Sequence, residues 1–400
     1  MMCIEDAFFT VRGVAVNSDQ VISNLQKVAA GFAGQRAARM ARNHLERADF
    51  DLLAKAGFLG TGLAEADGGL WKDVRQSTRP YAEMIRTIAM GDPSVALVAA
   101  MHPCVLVLWL AAGEPPAPLA DAWRAQRDWI FGTVKDGAWW GTVTSEPGSG
   151  GDIMKTRSVA KPSGEAGQYL LSGEKHFGSG SGISTYMITT AKAEGETYPD
   201  MFFMRVGDAK WDGSEGIHLA AEWDGHGMSA TQSHAFKFMD FPATRSAWSG
   251  SLAASGAAAG PLGGAVFTAV IVAVVEQALS FAREKLAGKA GEMRPYEQVE
   301  WVRAENEGWL IRQAYEGMLN AIEGGKGGML AAARCKSAVA ELAETCLGRI
   351  SRVVGGASFS RSSPLGRWAQ DVRALGFLRP PWGLAYDQLF AMSWPKEKSS

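Results

Sequence analysis

The residues best suited to chemistry lie in two stretches rich in hydroxyls and glycine. Thr142, Thr144 and Ser145 stand beside the turn Glu146-Pro147-Gly148-Ser149-Gly150-Gly151-Asp152, and further on comes Ser172-Gly173-Glu174-Lys175-His176-Phe177-Gly178-Ser179-Gly180. Glycine at this density marks backbone that takes positive φ or lets a ligand approach closely. Hydroxyls next to such a loop suit a flat, polar-edged cofactor. An ordinary hairpin with a wide turn has the same composition, so the residues alone leave both readings open. A third candidate is His102, in the otherwise apolar run Val95 to Leu110. A histidine there needs a partner for its ring nitrogens, either in the core or on a ligand.

The elements that must position these residues fall into three zones. From Asn17 to about Lys135 the pattern is helical. Ser18 or Asp19 caps a helix reaching about Arg47, with Leu25, Val28, Phe32, Ala37 and Met40 at helical spacing. A short helix from Asp49 ends at Gly57, one more runs around Ala82 to Met90, and another runs from Pro93 to about Ala112. Strand signals then persist from Trp139 to Trp248, in Tyr186–Ala191, Met201–Val206 and His234–Pro242 above all. The remainder is helical again: Val266 to Lys289, Pro295 to Ile322, Met329 to Val354 and Pro364 to Ala374, which reads as a four-helix bundle. The Gly/Ala-rich half of Ser255 to Val275 reads as too poor in helix formers to be helical throughout. Its apolar half, Val266 to Val275, requires cover from a bundle or from other copies. The domains expected are 1–137, 138–248 and 249–400.

Composition narrows the partners. Four hundred residues, 47% of them hydrophobic, are enough for two or three domains with a large core. A formal charge of −2 gives no field for nucleic acid or an anionic membrane. Cys3, Cys104, Cys335 and Cys346 have no metal or disulfide spacing, and the first thirteen residues lack the design of an export signal, so a reducing cytoplasm is the expected location. His176, His226 and His234 are not at metal spacing. The Trp139-Trp140 pair serves either barrel packing or a substrate wall.

The stretch Thr144 to Asp152 and the strand ending in Ser172 to Gly180 resemble the acyl-CoA dehydrogenase superfamily, whose middle domain carries a T/S-E-P-G-x-G-S-D turn and a G-x-K-x-(W/F)-x-(T/S)-x-G strand. Leu53 to Gly69 and Gly91 to Leu97 are similar to its amino-terminal domain, so the likeness covers nearly the whole chain. It implies a helical domain, a β-barrel and a four-helix bundle; the cover that the apolar Val266 to Val275 needs points to a homotetramer or dimer of dimers. It also implies a flavin held by Thr144, Ser145, Phe177 and Ser179, with Gln298, the Gly355-Gly356 turn and Arg373 contributing to the cofactor.

Dehydrogenases of this family need a catalytic glutamate. The equivalent position here falls on or next to Arg379, and an alternative position falls near Gly263. A guanidinium accepts no proton at neutral pH. A displaced acid such as Glu276 or Asp387 would be required for an acyl-CoA dehydrogenase or oxidase. Glu174-Lys175-His176-Phe177-Gly178-Ser179-Gly180 is closer to the dibenzothiophene monooxygenase branch. That branch uses reduced flavin from a separate reductase to oxidise small, largely apolar or aromatic molecules through a C4a-peroxyflavin. It also places a histidine against the flavin, where this chain offers His102, with Ser179 steadying the ring. Leu286 to Gly291 lacks the R-x-x-F that grips an adenylate, although Gln298 matches a later glutamine, so FMN is favoured over FAD. A relative that keeps the fold as a non-catalytic assembly module is the reading from another class.

Overall fold

The computed structural model describes residues 17–394; Cys3 and the amino-terminal run read above for export lie outside them. Six helices come first: α1 (Ser18–Gly34), α2 (Arg36–Met40), α3 (Arg47–Lys55), α4 (Val74–Ala89), α5 (Pro93–Leu106) and α6 (Ala120–Lys135). Seven strands follow: β1 (Trp140–Thr142), β2 (Val159–Pro162), β3 (Gln168–Gly178), β4 (Tyr186–Ala193), β5 (Pro199–Arg205), β6 (Ile217–Ala221) and β7 (His234–Arg245). The chain ends in α7 (Leu252–Leu286), α8 (Pro295–Glu323), α9 (Gly328–Val354), α10 (Pro364–Asp371), α11 (Ala374–Phe377) and α12 (Trp382–Ser393).

The first helix departs from its expected phase. Asn17 is the cap, its side-chain oxygen accepting from the Asp19 N–H at 2.9 Å, and the helix breaks at Gln35 instead of continuing to Arg47. Beyond the break Ala37 is exposed and Arg39 is buried. An ionic contact sets this phase, because Arg39 pairs with Asp49 and with Asp92 (2.9 Å) while lying 3.7 Å over the Phe32 ring. A buried guanidinium is tolerated only when so satisfied.

Five strands close into a barrel by the pairings β4–β2, β2–β3, β3–β7, β7–β5 and β5–β4. β1 joins β4 in parallel, and β6 joins β7. Alternating inward residues, Leu171, Met187, Phe202, Met204, Phe236 and Phe238 among them, fill the interior. β2 and β3 form a hairpin, and the expected strands at 186, 201 and 234 are β4, β5 and β7.

The helical parts do not form two separate cores. Leu25, Phe50, Ile85, Val270 and Leu347 belong to one continuous apolar cluster, and α7 packs against α4 and α5 as well as α8 and α9. The fourth long member beside α7, α8 and α9 is therefore α4 of the amino-terminal region, with the short α10 packed at the side. The whole of α7 is helical from Leu252 through Pro261, contrary to the expectation for its Gly/Ala-rich half. Close approach explains this: a Cβ on Gly264 would stand 3.1 Å from that of Ala332, so the small residues admit α9 instead of breaking the helix. Val266 to Val275, apart from Phe267, is buried within the chain itself, so this stretch gives no argument for other copies. Among the described residues one helical span, Leu252–Glu292, is long and apolar enough to cross a membrane, and 67% of its most apolar window is buried inside the protein.

Candidate functional site

The two glycine-rich stretches meet at one end of the barrel, and a buried ion pair holds them there. Lys175 lies on β3 with a side chain 0% exposed, and its Nζ donates to Glu146 Oε1 at 2.5 Å, to Thr190 O at 2.6 Å and to Thr156 Oγ1 at 3.0 Å. Glu146 Oε1 also accepts from the Ser158 hydroxyl at 2.7 Å and from the Thr156 hydroxyl, and Oε2 accepts from the Arg157 N–H at 2.7 Å. Burial opposes ionisation of Glu146. The donors from Lys175, Thr156 and Arg157 outweigh it and hold the carboxyl at about 2. Burial likewise pulls the Lys175 ammonium down to about 8, partly offset by Glu146. Both groups are charged at pH 7. The sequence reading passed over this pair, although Lys175 is a lone cation at an inward position of a barrel strand.

Around this pair the loops expose groups that suit a flat ring. Ser145 O accepts from the His176 N–H at 2.8 Å, which draws the two stretches together. Thr144 Oγ1 is buried without a partner. Phe177 sits in left-handed backbone (φ 59°) with its ring 59% exposed, edge-on to Trp223 at 6.1 Å. Met228 and Gln232 also have positive φ, 49° and 47°. Such backbone costs free energy that gathers at functional loops.

Ser179 is buried and heads a hydroxyl chain: its Oγ lies 2.7 Å from Ser233 Oγ, and Ser233 Oγ lies 2.7 Å from Thr231 Oγ1. Thr231 gives its one proton to Met228 O at 2.8 Å. Ser233 must then donate to Thr231, and Ser179 to Ser233, because each hydroxyl has a single proton. Ser179 Oγ is left with lone pairs and no proton to give.

His102 is placed otherwise than the resemblance implies. Its ring is 0% exposed; Nε2 lies 2.8 Å from Leu59 O and Nδ1 accepts the Trp140 N–H at 3.0 Å. Those partners fix the Nε2–H tautomer, and burial lowers the pKa to about 4. This is a neutral core histidine that ties α5 to β1, with no proton and no open edge for a ligand. Trp139, T-shaped to Phe50 at 4.9 Å, and Trp140, stacked on Tyr186 at 4.7 Å, are packing residues too.

The other residues named from sequence are not gathered at this mouth. Gln298 is exposed at the start of α8 and donates to Met293 O at 2.7 Å. Gly355 and Gly356 form the turn after α9 that packs on α9 and α10. Arg373 is exposed and bonds Gln370 Oε1 at 2.9 Å. Of the displaced acids, Glu276 pairs with Arg86 at 2.5 Å in a groove between α1, α4 and α7, and Asp387 is exposed on α12. Asp371, not considered from sequence, is a buried carboxyl that accepts the Met228 N–H at 2.6 Å; burial pushes it up to about 7 despite that bond. It braces the loop of the hydroxyl chain from behind. Of the other histidines, His176 bonds Glu174 Oε1 at 2.6 Å and His234 accepts the Trp223 N–H at 2.9 Å.

Residues 141–241 match the family model of the acyl-CoA dehydrogenase middle domain. No curated protein matches the sequence. Over the whole chain the fold is similar to a nitrososynthase of Micromonospora carbonacea var. africana, at 21% identity and TM-score 0.77, covering 96% of this chain and 99% of that one. It is also similar to FMN-bound TdsC of Paenibacillus sp. A11-2, at 17% identity and TM-score 0.77, covering 94% and 97%. Methanesulfinate monooxygenase MsuC of Pseudomonas fluorescens aligns at 20% identity and TM-score 0.74, covering 93% and 96%. The sequence thus matches the acyl-CoA dehydrogenase middle domain over the barrel, and the fold is shared with these structures throughout.

Two outcomes follow from the buried groups. Lys175→Met should cost about 3–5 kcal/mol in urea unfolding, because it strands the Glu146 carboxylate, and Lys175→Met/Glu146→Leu should recover part of the loss. A single variant within about 0.5 kcal/mol of the parent would show that the pair is not the anchor described. The His102 ring, with a pKa below the ordinary value, adds stability that is complete above about pH 6.5 and drains as pH falls through about 4. Its carbon resonances, assigned against His102→Gln, should stay constant from pH 8 to about 5.5; a midpoint near 6.5 would contradict the burial.

Proposed function

We propose that the protein is a two-component flavin-dependent monooxygenase acting on a small molecule, with FMN as its flavin. One observation carries the choice of chemistry. The position at which the resemblance expects a dehydrogenase's carboxylate falls on or next to Arg379, and the displaced candidate Glu276 is paired with Arg86 in another groove. The Glu146–Asp152 turn is the feature that favours the dehydrogenase reading, but its Glu146 is held by Lys175. The likeness to MsuC, a methanesulfinate monooxygenase, supports the monooxygenase reading, as does the binding of FMN by TdsC.

The mouth of the barrel fits a flavin. Thr144 has a buried hydroxyl awaiting a partner, Ser145 is fixed beside it, and the exposed face of Phe177 suits a flat ring. Bound and reduced, a flavin supplies the electrons with which molecular oxygen is activated. Thr144 and Ser145 would hold the polar edge of the ring and Phe177 would cover its face. Ser179, its proton committed to Ser233, offers an acceptor for an N–H, which suits a reduced ring better than an oxidised one. His102 holds the first barrel strand against α5 so that these groups stay in register. Gln298, Gly355, Gly356 and Arg373 would serve a flavin only across an interface between copies.

A homotetramer is supported by a stripe on α8, where Tyr296, Val299, Val302 and Trp309 are each more than half exposed at helical spacing. A cytoplasmic location is supported by the free thiols of Cys104, Cys335 and Cys346. The reduced flavin would come from a separate reductase.

Mixed with reduced FMN and then oxygen in a stopped-flow instrument, the protein should delay reoxidation and make it multiphasic relative to free flavin. Reoxidation at the free rate, together with anaerobic bleaching of bound flavin by an acyl-CoA, would reverse the assignment. Thr144→Val should weaken FMN binding about 3- to 10-fold while leaving the unfolding midpoint unchanged or higher, since the hydroxyl it removes has no partner in the protein. Trp309→Glu should lower the mass measured by light scattering, and an unchanged mass would remove α8 from the interface.

A further inference from the structure

The loop from Trp223 to Ser233 is gathered on one residue, and that residue is held from a helix outside the mouth. Met228 lies in left-handed backbone (φ 49°), which a residue with a side chain keeps only where its surroundings hold it. Its carbonyl accepts the Trp223 indole N–H at 2.9 Å and the Thr231 hydroxyl at 2.8 Å. The first bond fixes the ring that stands edge-on to Phe177, and the second ends the chain from Ser179. The Met228 N–H donates to Asp371 Oδ1 at 2.6 Å. Asp371, on α10, is 4% exposed. α10 lies hard against the loop: a Cβ on Gly227 would stand 2.3 Å from Gln370 O, and Arg367 donates to His226 O at 3.1 Å. Asp371 also lines a cavity of about 30 Å³ with Arg36, Arg39, Asp92, Ser229 and Arg367. That volume is enough to admit water, so a proton can reach the carboxyl. The charged groups facing it are Arg367 on its own helix, Arg36 and Arg39 on α2 and Asp92 before α5, while α7 presents the neutral Gln277. Arg39 is already taken by Asp49 and Asp92.

We propose that Asp371 is a positioning residue of the flavin site: through Met228 it sets the stance of Trp223 against Phe177 and the end point of the hydroxyl chain from Ser179. The inference rests on the flavin reading of the mouth. As a carboxylate, Asp371 holds the Met228 N–H in a charge-assisted bond; as an acid it keeps only a weaker, neutral one. Burial raises the carboxyl to about 7, against the Met228 bond and Arg367 and with the help of Asp92. The loop is therefore braced more firmly above neutrality than below it. Left-handed backbone at Met228 and Gln232 makes the loop sensitive to that difference. Asp371 touches neither ring nor substrate, and it acts on both sides of the ring through one peptide group.

The test compares the parent with Asp371→Asn, which keeps the shape and removes the charge, and with Ser233→Ala, which cuts the chain. A carboxyl raised by the fold adds stability below its unfolded value and loses it as pH rises through about 7, so Asp371→Asn should not melt below the parent at about pH 8. Hydrogen exchange of residues 223–233, read by mass spectrometry without flavin, is referred at each pH to the variant and to the parent's own α9. The parent should be protected about 3- to 10-fold more than the variant at about pH 8 and equally at about pH 6. Reduced FMN should bind Asp371→Asn about 3- to 10-fold more weakly at about pH 8. Ser233→Ala should cost less affinity in that background than alone, since both changes act on one chain. Protection of 223–233 that follows α9 at both pH values, or affinity losses that simply add, would overturn the proposal. A parent that binds neither oxidised nor reduced FMN would remove the flavin reading instead, and the exchange arm would still decide whether Asp371 holds the loop.

Discussion

The structure depends on one buried pair of charges. Glu146 precedes the β2–β3 hairpin and Lys175 lies on its second strand, and their contact, with the Ser145–His176 backbone bond beside it, brings both stretches to the same end of the barrel. A pair of this kind contributes little net stability beyond what apolar residues of similar size would give, but it defines a position that apolar packing would not. Each carboxylate oxygen and each ammonium proton is used, by Thr156, Arg157, Ser158 and Thr190. The register of the two loops is therefore fixed by hydrogen-bond direction. That rigidity is what allows one hydroxyl above the pair, that of Thr144, to remain unpartnered.

The helical platform follows the same logic at larger scale. Arg39, Asp49 and Asp92 join three amino-terminal segments through one guanidinium, and Asp92 also caps α5 through the N–H groups of Ser94 and Val95. His102, on that helix, then reaches the first strand of the barrel. Polar contacts thus run from α2 to the mouth while the apolar cluster supplies most of the burial. The hydroxyl chain from Ser179 to Met228 ends on the loop that Asp371 supports from α10, so helices on both sides of the barrel brace the same loops.

Much of this was legible in the residues. The Glu-Pro-Gly turn, the Lys175–Ser179 strand and the order of helical and strand zones carry local signals, and the strands at Tyr186, Met201 and His234 lie where the strand-like runs between Gly and Pro breaks put them. What could not be read depends on contacts between distant segments. Ala37 and Arg39 exchange their expected sides because Asp49 and Asp92 arrive from elsewhere in the chain. The glycines of α7 look like helix breakers until α9 is seen lying against them. His102 attracts a ligand reading because its partners are backbone groups, the Leu59 carbonyl and the Trp140 N–H, which have no sequence signature. Ser233 and Thr231 are ordinary loop residues until they line up behind Ser179.

The shared core also constrains how the chain is made. α4 and α5 emerge from the ribosome long before α7, the helix on which they pack, has been synthesised. The barrel in between can close on itself, since its strands pair among themselves, but the first helices must wait with Ile85, Ile88 and Val95 uncovered. A nascent chain of this design exposes an apolar surface throughout translation of the barrel, and so demands shelter by chaperones in proportion to the length of that central insertion.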